Sequence, residues 1–305
     1  MLHMQHMPVK IRLIKMKIGV GLTMMDRQYP GYLDSLVKYS EIGYDVLDYS
    51  MYSEGEGSIF LQDGWQAYAE KLREVADKHN LWFAQMHSPG MGPVGREPME
   101  EVKLELTKRA FEFCSILGTK HLVVHPRMFT DGIYGQNQER ILEYNLQFYG
   151  SLLPYARKYN VTIGLENMFA WDPQKRQYCP TTFSDVEEML ECIRRLGDEH
   201  VAVCFDTGHY NVLGKNPAEG VRILGDKLEL LHVHDNFGNG DHHLAPGYGT
   251  INWTEFMQAL KDVGYKGTFT AEAESMSRKL PAAAEYDAAK LTYSILKALV
   301  EEAGM

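Results

Sequence analysis

Eight short apolar runs recur along the chain, and the segments between several of them repeat their apolar residues every three to four positions. The runs are KIGVGL (17–22), YDVLDYS (44–50), LWFAQMH (81–87), HLVVHP (121–126), TIGLEN (162–167), VAVCFDT (201–207), LELLHVHD (228–235) and GTFTAEAE (267–274). Their length reads as buried strands, whereas WQAYAEKLREVADKHN and MEEVKLELTKRAFEFCSILG read as amphipathic helices. In the latter, Val102, Leu106, Ala110 and Phe113 share a face and Gly118 marks the stop. Eight β–α units without a composition break predict an α/β fold: one closed parallel (β/α)8 TIM barrel over 17–305. No G-x-G-x-x-G follows the first run, which argues against a doubly wound dinucleotide-binding sheet. Residues 1–16 are basic and Met-rich but lack the apolar stretch of a signal peptide, and read as a flexible leader.

Composition narrows the class. The 305 residues are 45% hydrophobic, enough for one barrel of the usual size of about 250 residues. A net charge of -10 gives no electrostatic reason for nonspecific binding to nucleic acid or anionic membrane. No apolar run approaches the roughly 18–20 residues of a transmembrane helix. Cys114, Cys179, Cys192 and Cys204 are scattered without a C-x-x-C pair, which predicts neither thiolate ligands nor a disulfide framework and points to a reducing cytoplasm.

The strand ends carry the candidate chemistry. The third and fourth runs reach His87 and His125, and the fifth reaches Glu166. The sixth reaches Asp206, with His209 just beyond, the seventh carries His232 and His234, and the eighth carries Glu272. One His after a strand is most often a hydrogen-bonded wall residue. A ring of imidazoles and carboxylates at equivalent ends of successive parallel strands is how a barrel enzyme builds a metal site. Successive strand residues alternate faces, so Thr162, Gly164 and Glu166 oppose Ile163 and Leu165, and Ala202, Cys204 and Asp206 oppose Val201, Val203 and Phe205. With the bulky set turned to the helices, the acids point into the barrel mouth. Bringing them together without a cation would force their pKa values up through like-charge repulsion. A divalent metal ion is therefore the expected cofactor; mixed N/O ligation suits Mn²⁺ or Zn²⁺, and Co²⁺ and Mg²⁺ are also compatible.

GLEN (164–167), CFDTGHYN (204–211), LHVHDN (231–236), DHHLAPGYGTINW (241–253) and the final AE (271–272) together resemble the xylose-isomerase-like TIM-barrel superfamily, which holds sugar isomerases and epimerases and the endonuclease IV type of abasic-site nuclease. The pattern is most similar to the sugar branch. There, the resemblance implies one divalent metal on Glu166, Asp206, His232 and Glu272. It also implies proton transfer beside a carbonyl by Glu166 and Glu272, with His209 touching substrate. His234 falls outside that ligand set, although parity puts it on the same inward face. The implied chemistry is abstraction of an α-proton from a keto sugar through an enediolate, ending in epimerisation or isomerisation. Inosose dehydratases and C-glycoside deglycosidases share the barrel and would end in elimination instead.

The nuclease branch uses three zinc ions, and motif for motif its ligands fall on His87, His125, Glu166, Asp206, His209, His232, Asp241, His243 and Glu272. Phosphodiester hydrolysis therefore stands as an alternative. Against it, SPGM follows His87 without an intercalating aromatic residue, and the loops offer mainly Arg96, Arg127, Lys175 and Arg176 among acids such as Asp131, Asp172 and Asp241. Tyr49, Tyr52, Phe129, Tyr134, Phe169, Trp171 and Tyr178 follow strands and suit stacking on sugar rings. A small carbohydrate is thus the expected partner, and nucleic acid is not. DNFGNG (235–240) lacks the Arg that ketose 3-epimerases usually carry there. The insert 169–183 reads as a lid or a partner surface. The last helix, LPAAAEYDAAKLTYSILKALVEEAG, could serve a homo-oligomer interface or the barrel wall. A purely structural metal is disfavoured, because such sites are normally closed and rich in Cys.

Overall fold

The computed structural model describes residues 16–96, 98–129 and 134–305, so residues 1–15 of the expected leader 1–16, and Asp131, lie outside the described residues. Each apolar run forms a short strand: β1 (Ile18–Gly21), β2 (Val46–Ser50), β3 (Trp82–His87), β4 (His121–Val124), β5 (Thr162–Glu166), β6 (Val201–Asp206), β7 (Leu228–His232) and β8 (Phe269–Ala271). All pair in parallel in the order β8-β1-β2-β3-β4-β5-β6-β7. A parallel bridge between Val233 and Ala271 joins the two outer strands and nearly closes the barrel. Helices cover the outside, among them Gln66–Lys78 and Glu100–Leu117 where the periodicity predicts them.

The alternation of side chains holds. Ile163, Leu165, Val203, Phe205, Phe269 and Ala271 are buried in the large core between sheet and helices. Val123, Cys204 and Leu230 form a separate small cluster inside the barrel. Gly164 belongs to that inner face, and a Cβ there would lie 2.5 Å from Leu230 Cδ1. A larger residue at that position would have to displace the Leu230 side chain inside the barrel, which favours the glycine of GLEN.

Three expectations are refined. The seventh and eighth strands end earlier than their apolar runs, at His232 and Ala271. Beyond these points the backbone changes partners: Glu272 N–H donates to Val233 O, and Asp235 bridges Leu244 in antiparallel fashion. The insert 169–183 folds as a two-stranded antiparallel hairpin, Ala170–Asp172 with Gln177–Cys179. The apolar stripe of the last helix, Glu285–Glu302, is spent on the barrel wall, since Ala288, Ala289, Leu296 and Val300 are buried. No described helix is long and apolar enough to cross a membrane.

Candidate metal centre

His87, Glu166, Asp206 and His232 are the last residues of β3, β5, β6 and β7, so a parallel sheet necessarily gathers them at one end. Asp206 and His232 are register partners. Asp206 has a second role, because its Oδ1 accepts the backbone N–H of His209 at 2.6 Å and caps the helix Thr207–Val212. The D-T-G-H motif thereby turns His209 back over the strand ends.

Among the described residues three groups of ligand atoms result, the atoms of each group lying within 4.8 Å of one another. Glu166, Asp206, His232 and Glu272 form the first, with Glu166 Oε1 2.8 Å from His232 Nδ1. The second is His87, His125 and Glu166, whose atoms stand 3.0 Å (His87 Nε2–His125 Nε2), 2.9 Å (His125 Nε2–Glu166 Oε2) and 3.4 Å (His87 Nε2–Glu166 Oε2) apart. Those edges resemble the roughly 3.3 Å edge of a tetrahedron with metal–ligand bonds of about 2.0–2.1 Å. His209, His234, Asp241 and His243 form the third, with His243 Nε2 3.1 Å from Asp241 Oδ2. Glu166 belongs to the first two groups. His234 Nε2, 3.0 Å from Asp206 Oδ1 and 3.7 Å from Asp241 Oδ1, stands between the first and third.

The tautomers agree with this arrangement. His87 Nδ1 donates to Ser88 O (2.6 Å), His209 Nδ1 to Asn167 O (2.9 Å) and His243 Nδ1 to Glu272 O (3.0 Å). A carbonyl can only accept, so each Nδ1 carries a hydrogen and Nε2 is the ring nitrogen turned to its group. Glu166 Oε2, His234 Nδ1 and Asp241 Oδ1 are buried without an aligned hydrogen-bond partner, as is His232 Nε2, which faces Asp48 Oδ2 at 3.3 Å on the side of the ring away from Glu166 Oε1. Lone pairs converging on unpaired buried carboxylates are costly unless a cation lies among them. The donor set of imidazole and carboxylate, without sulfur, fits a divalent ion.

The two glutamates differ electrostatically. Burial works against ionising Glu166, but His232 and His125 outweigh it and hold the carboxyl well below the usual range. Burial dominates at Glu272 and, against the opposing pull of His232, pushes its pKa to about 7. Glu166 is sealed in, with 1% of its side chain exposed, whereas 16% of Glu272 is exposed at the mouth. Aromatic rings complete the rim: Tyr52 meets His87 and His125 edge-on at 5.5 and 5.7 Å, and Phe169 meets His209 at 5.0 Å.

All ten candidate residues thus stand together. Sequence reasoning missed Asp48, buried 3.3 Å from His232 Nε2, and Glu274, 3.3 Å from His243 Nδ1. Both had a signal, since each lies on the inward parity of its run. Arg127, offered by the sequence as a loop cation, is instead enclosed and paired with Glu100 at 2.8 Å.

Comparison with known proteins places the chain. The model of the xylose isomerase-like TIM barrel matches residues 36–293. The uncharacterized protein MJ1311 of Methanocaldococcus jannaschii is 30% identical over 270 residues, covering 86% of this chain and 85% of that protein. The D-psicose 3-epimerase of Enterocloster bolteae is 26% identical over 275 residues, 84% of this chain and 82% of its own. A crystal structure of a D-tagatose 3-epimerase-like protein superposes with a TM-score of 0.74 at 25% identity, covering 95% of this chain and 98% of that one. The chain belongs to the xylose isomerase-like TIM-barrel family.

Proposed function

We propose that this protein is a divalent-metal-dependent sugar isomerase or epimerase that abstracts a proton beside the carbonyl of a keto sugar. The observation that carries the proposal is the convergence of Glu166, Asp206, His232 and Glu272, with the more accessible carboxylate poised to exchange a proton near neutral pH. Relatives that act as ketose 3-epimerases support the substrate class. When bound by these four residues, a divalent ion supplies a Lewis acid that makes the proton next to a carbonyl more acidic.

The chain's own residues do the rest. Glu166 and Glu272 form the acid/base pair. Glu272, with a pKa near 7, is matched to giving and taking a proton at neutral pH. Glu166 stays ionised among His125 and His232. His209, held by Asn167 O, points its Nε2 into the mouth as a hydrogen-bonding group for a sugar hydroxyl. Tyr52 and Phe169 offer ring faces and edges to sugar C–H groups and exclude water.

The test is proton exchange in D2O. Metal-loaded protein is incubated with a panel of ketoses and 3-keto glycosides, and deuterium at the carbon beside the carbonyl is read by NMR. Exchange is expected whether the reaction ends in epimerisation, isomerisation or elimination; no exchange with any substrate by the metal-loaded protein would overturn the proposal.

A second reading, phosphodiester hydrolysis on up to three ions, is favoured by the two additional ligand groups around His87–His125 and Asp241–His243. The enclosure of Arg127 against Glu100 removes one cation that a DNA backbone would need. Cleavage of abasic-site DNA by the zinc-loaded protein, without ketose exchange, would establish this reading instead.

A further inference from the structure

A carboxylate near the middle of a barrel strand is an unusual tenant. Asp48 lies in β2 and is 2% exposed, where burial of an ionised group is costly without compensation. No Lys or Arg is paired with it among the described ion pairs; its partner there is His232, whose Nε2 is 3.3 Å from Asp48 Oδ2. The ladder between β2 and β3 shifts register between Leu47 and Asp48. Such irregularities re-aim side chains, often beside active sites.

Gln85 completes the arrangement. Fully buried on β3, it donates from Nε2 to Asp48 Oδ2 at 2.9 Å and to Leu231 O at 3.3 Å. It thus ties the Asp48 carboxylate to β7, one residue before His232. The opposite ring nitrogen, His232 Nδ1, lies 2.8 Å from Glu166 Oε1 in the candidate metal group. The ring thus has Asp48 as the nearer carboxylate on Nε2, with Glu272 Oε1 at 3.6 Å, and Glu166 on Nδ1.

We infer that Asp48 is a positioning residue, held by Gln85, that accepts the Nε2 hydrogen of His232 and so presents Nδ1 to the metal. The inference rests on the metal-site reading above. A carboxylate behind a ligating imidazole fixes its tautomer and orientation and raises its basicity, and losing such a partner typically costs about 10–100-fold in metal affinity.

Asp48→Asn keeps the shape and removes the charge. Apo wild-type protein and the variant are titrated with Mn²⁺, and their thermal unfolding is compared without metal. The expected result is a Kd for Mn²⁺ raised about 10–100-fold in Asp48→Asn, while the metal-free variant melts close to wild type. A residue that merely fills space would leave the Kd unchanged, and that outcome overturns the inference. Should the variant not fold, the tautomer decides: ¹⁵N NMR of zinc-loaded wild type is expected to show hydrogen on His232 Nε2 and none on Nδ1, and the reverse overturns the role. Failure of wild type to bind Mn²⁺ or Zn²⁺ would instead remove the metal-site reading itself.

Discussion

Gly208→Ala isolates the packing that joins two motifs distant in sequence. A Cβ on Gly208 would lie 1.9 Å from Cε1, 2.3 Å from Nδ1 and 2.6 Å from Nε2 of His234. Ordinary carbon contacts are about 3.5–4.0 Å, so the ring or the helix Thr207–Val212 has to move by about 1.6 Å or more. His234 has no retreat: it is fully buried, stacks on His243 at 4.1 Å with 6° between planes, and faces Asp206 at 3.0 Å. Overpacking of this kind costs about 1–3 kcal/mol. At roughly 2–4 °C per kcal/mol for a large domain, the melting temperature should fall by several degrees. Because His234 stands between Asp206 and Asp241, metal content should fall as well. Differential scanning calorimetry and elemental analysis of Gly208→Ala provide the readouts. The same substitution made in a His234→Ala background should cost markedly less, since the clashing ring is gone. Wild-type melting and metal content in the single variant, or an equal penalty in both backgrounds, would refute the reasoning.

Other perturbations probe separate parts of the molecule. Glu272→Gln should lower deuterium exchange about 10²–10⁴-fold, the usual contribution of a general acid–base group, and more than about a tenth of the wild-type rate would sink its assignment. Glu166→Gln should abolish exchange and also lower metal content, because Glu166 is shared by two ligand groups. Protein purified without added metal should carry one ion per chain, a content that His87→Ala or His125→Ala leaves unchanged; two or three ions would move the reading toward phosphodiester hydrolysis. Asp235→Ala should cost about 4 kcal/mol or more in urea unfolding, given four donors left at about 1–3 kcal/mol each. The carboxylate accepts from Asn236 N, Gly247 N, Ile251 N and Trp253 Nε1 at 2.8–3.2 Å. A loss below about 1 kcal/mol would contradict that estimate.

Much of the architecture was legible because it depends on local periodicity. Runs of alternating large apolar and small or polar residues specify strands with two unlike faces, and their spacing by helical segments leaves a parallel barrel as the economical arrangement. The same parity aims Glu166, Asp206 and His232 at the barrel mouth. The Asp of LHVHDN carried no such reading. Its four donors come from residues up to 18 positions downstream, so only the folded chain shows that it staples the loop after β7.

What the sequence determined by itself was therefore the set of elements, the end of the barrel at which the candidate ligands collect, and ten residues that stand together there. Tertiary structure decided how these candidate ligands are shared. That Glu166 serves two groups, that His234 stands between Asp206 and Asp241, and that Asp48 backs His232 are consequences of register and closure across strands far apart in the chain. The electrostatic contrast between Glu166 and Glu272 has the same origin. Both residues lie in apolar runs of the sequence, but His232 and His125 outweigh burial at Glu166, whereas burial outweighs the pull of His232 at Glu272.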